Sequence, residues 1–316
     1  TDGATFNTNA TDISLGTTGT WTDLTTLPSG AIGAFVEIHG TAHGYDYGLR
    51  KNGSSEDIYS ISYRHAWGIV EADESRIIEG KIENTGCDFY LTGYPEAEDI
   101  TDWTYSETLE IDADSYISGN LSDFPVYVEV DDTHTDFWDY VKSDGGDVRF
   151  TDSSDNLLDF EIESFDYAGE DAHYHVKVPT LSSSVDTEIK IWYGNASATD
   201  GSNKEAVWDD NFKMVQHLNQ DGDSFSGSTA YDSTSNENDG TNYGSTDEAG
   251  QIDRARDFDG LNDYINIGNP SSLQITGNLT LSAWVDKGII PPYHILTKDN
   301  VTDRCWIFRI LSTAGA

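Results

Sequence analysis

Basic residues are scarce in this 316-residue chain. Lys and Arg together number 17 against 57 Asp and Glu, which gives a formal net charge of −40 at pH 7. A surface this negative repels phosphate backbones and anionic lipid headgroups, so we expect neither nucleic-acid binding nor electrostatic docking to membranes. No apolar run approaches the roughly 18 residues that a membrane-spanning helix needs, which predicts no membrane insertion.

Cysteine is almost absent as well. The 2 cysteines, Cys87 and Cys305, stand too far apart in the sequence to indicate a disulfide framework or a paired-ligand zinc site. We therefore expect small core residues that do not pair with each other.

Aromatic residues, by contrast, are plentiful. The chain contains 8 Trp, 17 Tyr and 12 Phe, and this apolar mass excludes the disorder that a high net charge otherwise indicates. The acidic residues are spread through the chain without acidic blocks, a distribution typical of proteins from molar salt. There the Debye length falls to about 3 Å, which removes most of the self-repulsion. We predict a halophilic source; the alternative is a secreted acidic protein from an ordinary habitat.

Strand patterns dominate the sequence. In residues 124–130, Val126, Val128 and Val130 alternate with polar positions, so one face of a strand is apolar and the other is wet. The same pattern predicts strands at residues 34–39, 87–94, 173–178, 187–193, 264–267 and 279–285.

Helical patterns are confined to two short segments. Residues 135–142 have helical spacing, with Thr135 as the expected N-cap and Gly145 as the stop, and a second short helix or turn is expected within residues 207–217. The sequence therefore predicts an all-β fold of tandem β-sandwich or jelly-roll modules with very little helix.

Shifts in composition predict three modules. Polar or Ser/Gly/Asp-rich stretches lie near residues 98–107 and 196–203. We expect an N-terminal β-sandwich over residues 1–105, a second β-domain over residues 106–200 and a third module over residues 201–316.

Five motifs occur in order within the second module, at residues 121–126, 147–152, 160–163, 176–179 and 192–195. With them, the chain from about Leu109 resembles an uncharacterised β-domain of archaeal, bacterial and viral surface proteins. In that family the domain commonly precedes a concanavalin A-like (laminin G-like) jelly roll. The joining segment resembles residues 208–212 and 215–218 of this chain.

The third module resembles the first part of that jelly roll. Residues 232–240 are similar to its Asp-, Asn- and Gly-rich opening, and residues 258–260, 263–265 and 279–285 are similar to its first core strands. About half of such a domain fits before Ala316. We expect chain beyond that residue, or another subunit, to complete the two sheets, because half a sandwich leaves an apolar face exposed.

Two clusters of polar residues suggest chemistry and have simpler explanations. Asp159, Glu161 and Glu163 alternate along one strand face, with neighbouring carboxylates about 6 to 7 Å apart, which is compatible with a glycosidase pair. In so acidic a chain we interpret them as a solvated face. His173 and His175 share a strand face and would need a third ligand to bind a metal; His39 and His43 lack the helix that makes their spacing a zinc clamp. We interpret both pairs as surface or cross-strand residues.

Oxygen ligands gather in one Gly-containing turn. Asp257, Asp259, Asn262 and Asp263 offer the carboxylate and amide oxygens that calcium prefers, so we predict a calcium site there. The resemblance implies the same, since laminin G-like domains often hold calcium at loop rims and bind sugars near it. The alternative is that these side chains shape the turn.

Three aromatic residues of the third module are candidates for stacking on sugar rings: Trp284, Tyr293 and Trp306. The alternative is that their rings belong to the core.

The sequence contains no Gly-rich phosphate loop, no Gly-x-Ser-x-Gly elbow and no Cys/His nucleophile pair, so we predict no enzyme activity. We predict an extracellular surface or adhesion protein of a halophilic archaeon or its virus, such as a turret, fibre or decoration protein on the virion or cell surface. It would bind a glycan or cell-surface receptor through the jelly roll, as a homo-oligomer, for example a trimer. Two alternatives stay open: a polysaccharide-degrading enzyme whose catalytic part lies beyond residue 316, and a purely structural spacer or lattice protein.

Overall fold

The structure is a computed structural model. It describes residues 4–28, 31–41, 44–55, 60–61, 65–73, 75–95, 98–113, 118–220, 227–286, 293–299 and 304–310. The chain divides into two compact units, Thr1–Asp102 and Trp103–Ala316. Both consist mainly of antiparallel strands, which confirms the predicted all-β fold class. In the described ranges, no helix has the length and apolar character needed to cross a membrane.

The first unit is a sandwich of two four-stranded antiparallel sheets, with strand orders β1-β8-β3-β6 and β2-β7-β4-β5. Alternation places Val36 and Ile38 of β3 and Phe89 of β8 in the core, together with Ile78 and Ile82 from the other sheet. The strands are β1 (Ala4–Asp12), β2 (Thr22–Thr26), β3 (Gly33–Gly40), β4 (Asp46–Lys51), β5 (Ser60–Ile61), β6 (His65–Glu71), β7 (Ile77–Ile82) and β8 (Cys87–Pro95), and a short 3-10 helix follows at Ile100–Asp102.

The cysteine of this unit behaves as expected. Cys87 is a free thiol and is fully buried in the core. Burial, with a smaller effect of the neighbouring Asp88 carboxylate, raises the pKa of the Cys87 thiol to about 11, so the group stays a protonated thiol at neutral pH. The side chain of Cys305 lies outside the described residues.

The second unit begins with a second sandwich, whose sheets have the orders β10-β14-β13 and β12-β11-β15-β9. Its core takes Phe160, Tyr174 and Val176 from the first sheet and Phe150 and Ile191 from the other. The elements are β9 (Tyr105–Ile111), β10 (Leu121–Val130), α1 (Thr135–Tyr140), β11 (Arg149–Asp152), β12 (Leu157–Leu158), β13 (Phe160–Asp166), β14 (Asp171–Leu181), β15 (Thr187–Tyr193) and α2 (Lys204–Val207).

The predicted two-faced strand is confirmed in β10. Val128 and Val130 are buried, Val126 packs against the same core, and Tyr127 and Glu129 are exposed. The predicted strand at residues 187–193 coincides with β15.

After α2 the sheets are smaller. Their orders are β16-β17-β20, β18-β19 and β21-β22. The strands are β16 (Thr229–Ala230), β17 (Gly240–Tyr243), β18 (Thr246–Ala249), β19 (Arg254–Asp257), β20 (Tyr264–Asn266), β21 (Tyr293–Asp299) and β22 (Arg304–Ile310), with a short 3-10 helix at Ser271–Leu273.

One predicted strand is wrong. Residues 279–285 form no ladder with any described residue, and Leu279, Trp284 and Val285 are exposed. Alternation alone does not make a strand, because each strand needs a hydrogen-bonded neighbour.

The predicted helix bounds also need correction. Thr135 is already the first helical residue of α1 and His134 is the N-cap, since the His134 carbonyl accepts the first i to i+4 bond of the helix, from the Trp138 N–H over 3.3 Å. The helix ends at Tyr140 because Val141 is extended. The second helix is α2, which begins before the predicted segment and ends at Val207. The segment itself contains a turn, in which the Phe212 N–H donates to the Asp209 carbonyl over 3.0 Å, so the alternative prediction of a turn is confirmed.

Candidate functional site

The sheet β10-β14-β13 has one apolar face and one ionisable face. Along β13 and β14 the side chains of Phe160, Tyr174 and Val176 enter the core. The alternate positions carry Glu161 on β13 and its cross-strand partner His175 on β14. A register shift between Ile162 and Ser164 follows, and a bulge of this kind re-aims the side chains beside it.

The interpretation of this face as solvated is wrong for two of its three carboxylates. Asp159 is exposed, but Glu161 is only 4% exposed and the side chain of Glu163 only 6%. The chain that follows β15 contacts this face through Trp208, His217 and Ser233. The two glutamates are therefore buried beneath the chain that follows β15, which is called the covering segment below.

Glu161 is held from three directions. Its Oε2 accepts a hydrogen bond from Trp208 Nε1 over 2.7 Å, and its Oε1 accepts one from the Ser233 hydroxyl. His217 Nε2 lies 3.2 Å from the same Oε1, which is ion-pair distance. The approach lacks hydrogen-bond geometry, so this buried ring nitrogen has no hydrogen-bond partner among the described residues.

Glu163 lies between two imidazole rings. Its Oε2 is 2.7 Å from His175 Nε2, and its Oε1 is 3.1 Å from His217 Nδ1. The two rings stack with centroids 5.2 Å apart. The Asn219 side-chain amide donates to the Glu163 carbonyl over 2.6 Å, which ties the segment after His217 to β13. We call Glu161, Glu163, His175 and His217 the carboxylate–histidine cluster.

The cluster shifts the pKa values of its members. Burial opposes ionisation of Glu163, but the contacts with His175 and His217 outweigh burial and lower the pKa of Glu163 to about 2. The pKa of Glu161 is lowered as well, because His217, Ser233 and Trp208 outweigh its desolvation. Burial disfavours a charged His217 ring, yet the two carboxylates raise the pKa of His217 to about 9. At neutral pH, two carboxylates therefore enclose an imidazolium.

One atom from each of Glu163, His175 and His217 can serve as a metal ligand, and these three atoms lie within 4.8 Å of one another. Among the described His, Cys, Asp and Glu residues, no other group of three or more converges in this way.

Of the two predicted histidine pairs, only His173 and His175 lie wholly within the described residues. His173 faces the same side as His175 but is buried and contacts Tyr127 and Asp171, with 2.6 Å from its Nδ1 to the Tyr127 hydroxyl and 3.1 Å from its Nε2 to Asp171. The cross-strand part of the interpretation holds, whereas a surface position for His173 is wrong. His39 lies beside His65, with ring centroids 4.9 Å apart, and His43 lies outside the described residues.

The four predicted calcium ligands lie on or next to one exposed turn. The Asp259 carboxylate accepts hydrogen bonds from the Leu261 and Asn262 N–H groups, and Asp263 accepts one from the Asp259 N–H over 2.9 Å. Asp257 lies on β19, paired with Thr246. These bonds shape the turn, which is the alternative role; calcium binding here stays a prediction.

The three predicted sugar-stacking residues have different surroundings. Trp284 is 82% exposed and lies in a segment after the second 3-10 helix that has no regular secondary structure. Tyr293 begins β21, with a side chain outside the described residues. Trp306 lies on β22, is partly buried, and its ring N–H is buried without a hydrogen-bond partner among the described residues.

Sequence reasoning missed the carboxylate–histidine cluster. Its components are visible in the sequence, as the alternating carboxylates, the His173/His175 pair and His217 in the motif at residues 215–218. No local sequence pattern shows that His217 contacts Glu161, because this contact depends on the path of the chain after α2.

Comparison with protein families places a match over part of the second unit. Residues 144–239, less than half of the 316-residue chain, match a family described as a domain of unknown function (DUF2341). The match supports the resemblance to an uncharacterised domain family. It includes every member of the cluster and the covering residues Trp208 and Ser233. Comparison with curated proteins gives no match.

Proposed function

We propose that the chain is an extracellular, non-enzymatic surface or adhesion protein of a halophilic archaeon or its virus, and that its C-terminal part binds a glycan or a glycan-bearing receptor. The observation that supports binding is the exposure of Trp284, a residue that is 82% exposed. An aromatic ring presented in this way offers an apolar face for stacking and a polar N–H edge.

The state of the buried glutamates supports a role without catalysis. A glycosidase needs two carboxyl groups that reach the substrate from both sides of the scissile bond. Glu161 and Glu163 instead contact Trp208, Ser233 and two histidines in a covered site. The proposal therefore places any sugar contact at the exposed aromatic residue and not at these carboxylates.

Charge and sequence resemblance support the remaining parts of the proposal. The net charge of −40 suits a habitat of molar salt. The similarity to surface proteins and to a laminin G-like jelly roll suits a virion or cell surface and a homo-oligomeric assembly. Calcium at the turn of Asp257, Asp259, Asn262 and Asp263 belongs to the same proposal, as a support for the sugar site.

Glycan-array binding by the full chain in molar NaCl tests the proposal, with calcium present and then chelated. We expect specific binding that Trp284→Ala weakens by roughly tenfold or more, equivalent to about 1.4 kcal/mol. Trp67→Ala is the matched control, because Trp67 is also an exposed tryptophan but lies in the first unit. Equal losses in both variants, or no binding by the wild type, would contradict the proposal. Regular self-assembly without glycan affinity would favour the structural alternative, and release of sugars from a polysaccharide would favour the enzyme.

A further inference from the structure

We propose that Glu163, His175 and His217 form a binding site for a divalent transition metal of the zinc class, which joins the sheet β10-β14-β13 to the chain that covers it. Glu163 comes from β13 and His175 from β14, whereas His217 comes from the covering segment. The site therefore requires the folded second unit and cannot form within one strand.

The donor atoms already face one another. His175 Nε2 and His217 Nδ1 are the two ring nitrogens that lie next to the Glu163 carboxylate, at 2.7 and 3.1 Å from its oxygens. One atom from each of the three residues lies within a spread of 4.8 Å. Ligands about 2 Å from a tetrahedral zinc ion stand about 3.4 Å apart. Small side-chain rotations are enough to close the set around an ion.

The mixture of donors selects the class of metal. Two imidazole nitrogens and a carboxylate suit zinc and its neighbours in the first transition row. Calcium and magnesium prefer a shell made of oxygen atoms, which this site does not offer. This distinguishes the cluster from the turn around Asp259, where the candidate ligands are oxygens.

Charge balance favours a divalent cation at this site. Glu161 and Glu163 bring two negative charges into a covered site. A divalent cation bound by two neutral imidazoles would offset those two charges, because zinc-class ions bind the deprotonated ring nitrogen.

Glu161 has the position of an outer partner for the metal-binding histidine. A histidine that binds a metal through one nitrogen usually donates its other N–H to a carboxylate or carbonyl. His217 Nε2 is buried and has no hydrogen-bond partner in the described part of the chain, yet it lies 3.2 Å from Glu161 Oε1. Coordination through Nδ1 would keep the proton on Nε2, and a small ring rotation would direct it at Glu161. Trp208 and Ser233 hold that carboxylate in place.

The experiment titrates the chelator-stripped full chain with zinc as the added transition metal, in molar NaCl with excess magnesium to saturate weak surface carboxylates. We expect one tight zinc ion per chain, and X-ray absorption at the zinc edge should report two imidazoles and carboxylate oxygen. Absence of a tight site, or a bound ion with oxygen ligands alone, overturns the proposal. The spectrum of the wild type keeps the test valid even if a variant fails to fold.

Variants then assign the ligands. His175→Gln and His217→Gln should remove tight binding, and Trp208→Phe should weaken it by about 10- to 100-fold through Glu161. His65→Gln is the matched control, because His65 forms a 2.8 Å pair with Glu37 on the first unit but its side chain is 63% exposed. Unchanged zinc affinity in folded His175→Gln or His217→Gln, or an equal loss in His65→Gln, contradicts the assignment.

Discussion

Two sheets of this protein bury one apolar face each and treat the opposite face in opposite ways. In the first unit, the outer face of β6 presents Trp67 and Ile69 to solvent, 66% and 79% exposed. In the second unit, the outer face of β13 carries Glu161, which is only 4% exposed. The apolar side chains are accessible and the ionised ones are covered, the reverse of the usual arrangement.

The difference shows that a side chain on the outer face of a sheet is buried or exposed according to whether other chain segments pack on that face, and not according to its own polarity. Later chain lies against the face of β13 and supplies Trp208, His217 and Ser233 as partners for the carboxylates. A buried charge is tolerated only with such partners. Exposed tryptophan and isoleucine need no partner, because single apolar side chains on a surface are common.

The largest expected effect comes from removing the central imidazolium. His217→Gln leaves Glu161 and Glu163 buried without their shared cation, so we expect a loss of about 3 to 5 kcal/mol in the free energy of unfolding. Chemical denaturation in molar NaCl with chelator measures this value. His65→Gln, which breaks the exposed pair with Glu37, should cost about 1 kcal/mol or less. Equal losses in the two variants would remove the contrast between the sheets.

The second effect is a pH dependence carried by the same ring in the metal-free chain. The pKa of His217 is raised from 6.5 to about 9, so its contribution is complete below pH 6.5 and is lost as the pH rises through 9. The pKa of Glu163 is lowered from 4.5 to about 2, so its contribution is complete above pH 4.5 and is lost as the pH falls through 2. The contribution of these two groups to the denaturation midpoint should therefore be highest between pH 4.5 and 6.5.

The size of the alkaline loss should be on the order of 3 kcal/mol. To isolate this loss, the unfolding free energy is measured at pH 6 and at pH 10, which is about one unit above the folded-state pKa of His217. The change between the two pH values is then compared between the wild type and His217→Gln. The variant should show a much smaller change. A wild-type profile that is flat over this range would show that His217 is not held as an imidazolium.

A smaller loss is expected from the residue that covers Glu161. Trp208→Phe keeps an aromatic ring near His175 and Phe212 but deletes the donor to the carboxylate. A hydrogen bond to a charged group contributes about 1.5 to 3 kcal/mol. Trp67→Phe, on the uncovered sheet, should change the stability by about 0.5 kcal/mol or less. The difference between the two tryptophans is the measured quantity, and similar values would count against a structural role for the Trp208 N–H.

The smallest effect is expected on the exposed face of β6. Ile69→Thr keeps a β-branched side chain at a position that is 79% exposed, so the unfolding free energy should change by about 0.5 kcal/mol or less. Ile38→Thr on the inner face of β3, where Ile38 is fully buried, should cost about 2 kcal/mol or more. Thermal unfolding of both variants tests the assignment of faces, and a large loss in Ile69→Thr would mean that the outer face is covered.

Local patterns predict much of the fold. The period of two in β10 and β15 locates both strands, and the valines of β10 identify its inner face, because alternation and burial are linked within a few residues. The same reasoning fails for residues 279–285, where alternation occurs without a described partner strand. It also misplaces the cap of α1, since the choice between His134 and Thr135 depends on a one-residue shift.

The candidate site was predictable in its components and not in its assembly. The alternating carboxylates of β13 and the histidines of β14 are visible in the sequence, but His217 and its partners come from elsewhere. Glu161 contacts Trp208 across 47 positions and Ser233 across 72. No periodicity of side chains extends over such separations.

The amino-acid pattern alone thus accounts for the all-β class, the inner faces of the strands and the strongly acidic composition, since each follows from residue type and spacing over short distances. The path of the chain after β15 accounts for the covered face, the ionised pair around His217 and the convergence of three possible metal ligands. The physical reason is that the state of an ionisable side chain depends on solvent access and on neighbouring charges. Both are set by packing between distant segments.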